Sequence, residues 1–203
     1  MIVIVDYGVG NLFSLKSSFA AIGCEAVVSA DAATIRQADK LILPGVGAFR
    51  DAVKKLKDSG LFDMVREEAV RGKPLLGICL GMQMLFERSF EDGVYEGLSL
   101  LSGEVRPIAE VIPAGLKIPQ IGWNSLRFTC PNPLFGRIRE GDYVYFVHSY
   151  SAMGSPDVIA VTEYGADLVA AAARGNVYGC QFHPEKSGTV GLNILKAFAE
   201  DIG

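Results

Sequence analysis

The stretch Pro74-Leu75-Leu76-Gly77-Ile78-Cys79-Leu80-Gly81-Met82-Gln83-Met84-Leu85-Phe86-Glu87-Arg88 decides how the chain is read. Pro74 to Cys79 is an apolar run of strand length, and Leu80 to Arg88 follows as a helix. Gly77 and Gly81 flank Cys79 at two residues on either side, the pattern G-x-nucleophile-x-G of a strand-to-helix elbow with sulfur in place of a hydroxyl. On so tight a turn, side chains two residues either side of the nucleophile collide, and glycine removes the collision. The elbow puts Cys79 at a helix N-terminus, where the dipole favours a thiolate, and aims the Leu80 amide at any oxyanion formed on a substrate. A lone cysteine is more often a buried core residue, so the elbow becomes chemistry only if the chain supplies a base.

Upstream of this stretch, strand and helix signals alternate. Met1 to Val5 is a short β-branched run that stops at Asp6-Tyr7-Gly8, and Leu12, Leu15, Phe19 and Ile22 recur at helical spacing before Gly23. Glu25 to Ser29 reads as a second strand, Asp31 as the cap of a helix through Gln37, and Lys40 to Leu43 as a third strand ended by Pro44-Gly45. Phe49 to Lys57 and Leu61 to Arg71 are helical, parted by Ser59-Gly60. This alternation predicts a mostly parallel sheet with helices on both faces. Downstream the pattern changes. Gly103–Val111, Gly122–Phe128, Tyr143–Tyr150, Val158–Tyr164, Leu168–Ala173 and Val177–Phe182 read as strands with few helices between them, hence antiparallel hairpins. Gly165-Ala166-Asp167 and Gly175-Asn176 mark turns. Ile194, Phe198 and Ile202 share one face of a closing helix. No repeat or linker divides the chain, so one α/β domain over residues 1–203 is expected.

The 203 residues are 50% hydrophobic and 21% charged, which excludes a disordered chain, and a net charge of −4 gives no footprint for nucleic acid. The N-terminus lacks the basic region of a secretory leader, and the run Leu75 to Phe86 is too short to span a bilayer. A cytoplasmic protein without a membrane partner is expected. The four cysteines (Cys24, Cys79, Cys130 and Cys180) form no C-x-x-C pair, and the two histidines, His148 and His183, are too few and too far apart to suggest a metal site. Gly8-Val9-Gly10 and Gly45-Val46-Gly47 both follow strands, but Phe13 and Arg50 stand where a dinucleotide fingerprint needs its third glycine. No phosphate loop is present either, so no cofactor is expected.

The base comes from Gln181-Phe182-His183-Pro184-Glu185. His183 ends a strand, and Glu185, two residues on, can project to the same side and orient the ring toward Cys79. His148 has no carboxylate close behind it and reads as a structural or loop-fixing residue.

With these residues in hand, the chain resembles the triad-type (class I) glutamine amidotransferases. The likeness rests on Gly77-Ile78-Cys79-Leu80-Gly81-Met82-Gln83 and Phe182-His183-Pro184-Glu185-Lys186-Ser187. Asp6-Tyr7-Gly8-Val9-Gly10-Asn11-Leu12, Pro44-Gly45-Val46-Gly47-Ala48-Phe49, Gly122-Trp123-Asn124 and His148-Ser149-Tyr150 narrow it to the glutaminase subunits of imidazole glycerol phosphate synthase, from histidine biosynthesis. The resemblance implies a flavodoxin-like fold and a thiolate, Cys79, that attacks the side-chain amide of glutamine with His183 and Glu185 as base and orienter. It implies an oxyanion hole from Leu80 and, after a peptide reorientation, from Val46 and Gly47. It implies a glutamine pocket lined by Gly47, Gln83, Glu87, Ser149 and Tyr150, with Gln83 and Glu87 one helical turn apart. It implies that ammonia passes to a (β/α)8-barrel cyclase subunit, which makes imidazole glycerol phosphate and an aminoimidazole carboxamide ribotide. Asn11, Trp123, Asn124 and Lys186 are the interface candidates. A subunit serving another acceptor, in anthranilate or pyridoxal phosphate synthesis, and a catalytically silent α/β binding module are the competing readings.

Overall fold

The computed structural model describes all residues, 1–203. In the first half the strands are β1 (Ile2–Val5), β2 (Ala26–Ser29), β3 (Lys40–Leu43) and β4 (Leu75–Ile78). The helices between and after them are α1 (Leu12–Ala21), α2 (Ala32–Gln37), α3 (Phe49–Asp58), α4 (Leu61–Val70) and α5 (Leu80–Gln83). Then come β5 (Arg88–Ser89), β6 (Tyr95–Glu96), β7 (Glu104–Pro107), β8 (Gln120–Ser125), β9 (Arg127–Phe128), β10 (Tyr143–His148), β11 (Tyr150–Met153), β12 (Val158–Glu163), β13 (Asp167–Arg174) and β14 (Val177–Cys180). Helix α6 (Gly188–Glu200) closes the chain.

The main sheet has the order β2-β1-β3-β4-β14-β13-β12-β9. Its first five strands are mutually parallel, in the doubly wound order of flavodoxin-like folds. The last three join antiparallel: tight turns at Gly175 and Gly165 link β14 to β13 and β13 to β12, and β9 pairs on the outer edge of β12. Side chains alternate across the sheet as the pleat requires. Val3, Val5, Leu41, Leu43 and Leu75 enter one core with α2, α3 and α4, whereas Ile2, Ile4, Ile42, Leu76 and Ile78 enter the other with α1 and α6. Asp31 caps α2, its carboxylate accepting from the Thr34 N–H at 2.8 Å. Both faces of the sheet are therefore buried, as the strand–helix alternation predicts. No helix is long and apolar enough to cross a membrane.

The structure corrects four readings. The helix after Cys79 is one turn long, Leu80–Gln83, and does not reach Arg88. The carbonyls of Met84, Leu85 and Phe86 accept from Leu98, from Leu100 and Leu101, and from Ser99, so a returning loop takes the acceptors a longer helix would use. Arg88–Ser89 instead pairs with β6 and β7. The expected strand Tyr143–Tyr150 breaks at Ser149: β10 pairs with β8, while β11 leaves for β7. Gly103–Val111 ends as a strand at Pro107 and turns into a short 3-10 helix, and Gly122–Phe128 is interrupted at Leu126.

Because β1, β3, β4 and β14 run the same way, the segments after them meet at one edge of the sheet. Those segments are Asp6–Gly10, Pro44–Gly47, Cys79 and Gln181–Glu185.

Candidate active site

Cys79 follows β4 with φ 54° and ψ −112°, left-handed backbone that is uncommon for a side chain other than glycine. The neighbouring glycines explain how it is held. A Cβ on Gly77 would lie 2.7 Å from the Gly81 carbonyl oxygen, and one on Gly81 would lie 1.9 Å from that of Leu43. The turn packs backbone to backbone on β3, and the whole fold forces the strain at Cys79. The N–H of Cys79 donates to the Cys180 carbonyl at 2.7 Å, tying the elbow to β14 as well.

His183 lies on the segment after β14, and its backbone N–H donates to the Tyr145 carbonyl at 3.0 Å. Its Nδ1 meets Glu185 Oε1 at 2.8 Å, both side chains being almost fully buried. The other ring nitrogen is left for Cys79. Burial opposes a charge on this imidazole, yet hydrogen bonds to Cys79 and Glu185 and the charges of both push its pKa up to about 9. Cys79 thus stands beside an imidazole that favours its protonated form and is held by a buried carboxylate, the arrangement of a candidate nucleophile with its base and orienter.

The cleft above Cys79 encloses about 300 Å³ and is lined by Val46, Gly47, Leu80, Gln83, Glu91, His148, Ser149, Tyr150 and His183 among others. It is of a size for one small polar molecule. As the first helical residue, Leu80 has an N–H with no acceptor inside the helix. Val46 is 44% exposed, and Gly47 has φ 92° with open space around its Cα. His148 is buried, with Nδ1 2.8 Å from the Tyr150 carbonyl and Nε2 2.9 Å from Gln120. Burial holds its pKa down to about 4, so it is neutral, and it fixes the Tyr150 backbone.

A sequence model of class-I glutamine amidotransferases matches residues 3–202. The chain belongs to the class-I glutamine amidotransferase family. It is 49% identical over its full length to the imidazole glycerol phosphate synthase subunit HisH of Caldanaerobacter subterraneus, covering 98% of that protein. It is 50% identical to the HisH subunit of Geobacillus kaustophilus, over 98% of this chain and 95% of that one. Among solved structures, a glutamine amidotransferase matches with a TM-score of 0.77 at 22% identity, over 98% of both chains. PurLQS from Thermotoga maritima matches with a TM-score of 0.73 at 18% identity, over 100% of this chain and 98% of that one. These two show the fold alone. The chain is accordingly a glutamine amidotransferase enzyme of the HisH branch, and neither an anthranilate or pyridoxal phosphate subunit nor a silent binding module is favoured.

Against the expected site of this amidotransferase, Cys79, His183, Val46, Gly47, Leu80, Gln83, Ser149 and Tyr150 all border the cleft. Glu185 lies behind His183. Glu87 does not border it. With α5 ended at Gln83, the shared helical face is lost, and Glu87 instead accepts from the Gly103 N–H at 3.0 Å in a separate surface depression. The carboxylate at the cleft is Glu91, which accepts from the Phe49 N–H at 2.8 Å. Desolvation, helped by Asp92 and Asp51, raises its pKa above the ordinary value. No spacing rule reaches Glu91 from Cys79, because the loop after α5 carries it there.

The interface candidates divide. Trp123 is half exposed and packs edge-on against Tyr145 at 6.0 Å, and Lys186 holds its ammonium 5.9 Å from the same ring. Asn124 is tied to its own chain, donating to the Glu163 carbonyl and accepting from Gln120. Asn11 stands at the start of α1 without capping it through its side chain.

Proposed function

We propose that the chain works as one amidotransferase domain over residues 1–203 that hydrolyses L-glutamine to glutamate, and that its ammonia passes to a (β/α)8-barrel cyclase subunit in a cytoplasmic heterodimer. The observation that carries the reading is the strained elbow at Cys79 facing a buried His183–Glu185 pair across one small cleft.

In this reading the Cys79 sulfur attacks the carboxamide carbon of glutamine. The oxyanion is met by the Leu80 N–H, and by the peptide between Val46 and Gly47 once it has turned toward the cleft. His183, protonated at rest, gives its proton to the leaving ammonia and becomes the base that activates water. That water releases glutamate from the thioester and restores the thiolate. Glu185 keeps the ring in place throughout. Glu91 suits the α-ammonium of the substrate as a partly desolvated carboxylate at the cleft wall.

Trp123, Tyr145 and Lys186 supply an aromatic and cationic patch beside the turn that carries Glu185, and α1 with Asn11 borders the same turn. Aromatic residues are favoured at interface centres, which supports this face for the partner. The barrel architecture of the partner and its products rest on the sequence resemblance, as does the heterodimer.

The test is a glutamine-like electrophile. It is expected to label Cys79, located by peptide mass spectrometry, and glutaminase activity is expected to rise when the co-purifying subunit is added. Labelling elsewhere, or glutamine turnover that survives labelling, would overturn the reading.

A further inference from the structure

Gln181 is fully buried at the end of β14, two residues before His183, and the motif reading gave it no part. Its side-chain Nε2 lies 3.9 Å from Cys79 Sγ, within reach for a donor to sulfur. An amide alone does not reveal which end is nitrogen, but its neighbours here do. The Tyr150 carbonyl can only accept, so the end of Gln83 that lies 3.0 Å from it is Nε2. The same Nε2 lies 3.0 Å from Gln181, and the end of Gln181 facing it must then be the oxygen. That leaves the Gln181 N–H pointing at the sulfur. A backbone carbonyl thus sets the polarity of two successive amides, and the last donor has Cys79 as its acceptor.

A buried N–H without an acceptor is costly, and a thiolate accepts far better than a thiol. The groups with charge or a titratable proton around Cys79 are few. Tyr7 spends its hydroxyl on the Pro44 carbonyl at 2.7 Å, and its own pKa is raised by burial and by Cys79. His183 contacts the sulfur, with Glu185 behind it. We propose that Gln181 is a positioning residue for the Cys79 thiolate, held in its donor orientation by Gln83 and the Tyr150 carbonyl. The sulfur is then gripped by two donors, one of which (His183) leaves its role during each turnover while the other does not. Gln181 does not border the cleft, whereas Gln83 does. Replacing Gln181 therefore acts on the nucleophile directly and on the substrate pocket only through Gln83, which keeps its own bond to the Tyr150 carbonyl. The proposal rests on Cys79 being the glutaminase nucleophile.

The test uses the full chain with its partner subunit and two variants, Gln181→Met, which keeps the volume and removes the amide, and Gln181→Asn, which keeps the amide but draws it back. Folding is checked by circular dichroism, and the Asn variant serves if the Met variant does not fold. Each is expected to lower kcat about tenfold, the scale of one hydrogen bond to a charged group, with KM for glutamine within about twofold of the parent. Alkylation of Cys79 by iodoacetamide at pH 7, read site by site with exposed Cys130 as internal reference, is expected to slow about threefold, because nucleophilicity offsets part of the loss of thiolate. Unchanged kcat and unchanged alkylation in a folded variant would overturn the proposal, as would a rise in KM with kcat intact, which would make Gln181 part of the pocket. A parent chain without glutaminase activity would instead break the underlying reading, and the Cys79 alkylation rates would still show whether Gln181 acts on the sulfur.

Discussion

Two glycine-flanked turns leave adjacent parallel strands at the same edge of the sheet, and they are built in opposite ways. At Gly77–Gly81, after β4, both glycines are needed because other backbone occupies the space where a Cβ would be. At Pro44–Gly47, after β3, the two ends are clamped and the middle is open. Pro44 is held by the Tyr7 hydroxyl at 2.7 Å, and a Cβ on Gly45 would lie 2.6 Å from the Gly81 nitrogen. The Phe49 N–H is held by Glu91. Between these clamps Val46 is exposed, and nothing lies within 4 Å of a Cβ placed on Gly47. Cys79, the proposed nucleophile, therefore stands on a locked turn, while the Val46–Gly47 peptide proposed for the oxyanion hole stands on a turn with room to move. In the proposed mechanism such a division would let the partner subunit switch the rate without disturbing Cys79, His183 and Glu185.

The largest effect should come from the locked turn. Cys79→Ala is expected to lower glutamine hydrolysis by at least about 10⁴-fold, in line with the loss of a triad nucleophile. The assembled synthase should still work with external ammonia, because only its generation is lost. Glutamine-dependent turnover near the parent rate would end the assignment. The movable turn should show itself next. Glutaminase rates measured for the isolated chain, the complex, and the complex with the acceptor ligand are expected to rise by about 10²–10³-fold overall, the worth of one oxyanion donor. Equal rates in all three would remove the gating role of the Val46–Gly47 peptide and leave the glutaminase in place.

A pair of alanine substitutions sharpens the same contrast through stability. Gly81→Ala forces a methyl group into the Leu43 carbonyl and is expected to cost ~3 kcal/mol or to prevent folding. Gly47→Ala meets open space and carries only the cost of its positive φ, ~1 kcal/mol. Urea midpoints of the two variants check this, and similar losses at both sites would show that the turns are not built differently.

The locked turn was legible in the sequence because its constraint is local: Gly77, Cys79 and Gly81 fall at fixed spacing. His183 and Glu185 were legible for the same reason. The parallel half was legible because each strand and helix carries its own period. Glu91 and the shortened α5 were not. Helix propensity and the i, i+4 spacing favoured a helix through Glu87, but the Leu98–Leu101 loop supplies N–H groups to the carbonyls of Met84, Leu85 and Phe86. That competition is tertiary, and no window around Glu87 contains it. Tyr143 to Tyr150 likewise reads as one aromatic strand, and only the partners β8 and β7, both remote in sequence, show why it must break at Ser149.

The smallest effect concerns the pair behind the locked turn. The pKa of His183 is raised to about 9 in the folded chain, against about 6.5 for a free imidazole. Between these values His183 holds in the native state a proton that its unfolded counterpart has released. Its stabilising contribution is fully present below about pH 6.5 and is lost as the pH rises through about 9. Glu185→Gln keeps the hydrogen bond to Nδ1 but removes a charge that favours the imidazolium, so less of that contribution should remain. The parent is therefore expected to exceed Glu185→Gln in stability most clearly at pH 6, with the difference shrinking toward pH 9. In activity Glu185→Gln should lose less than His183→Ala, since the base remains and only its orientation and charge support are weakened. Urea unfolding of both proteins from pH 6 to 9, followed by glutaminase assays, checks both statements. A stability difference that grows with pH would mean that His183 is neutral in the folded chain, and its raised pKa beside Cys79 and Glu185 would have to be given up.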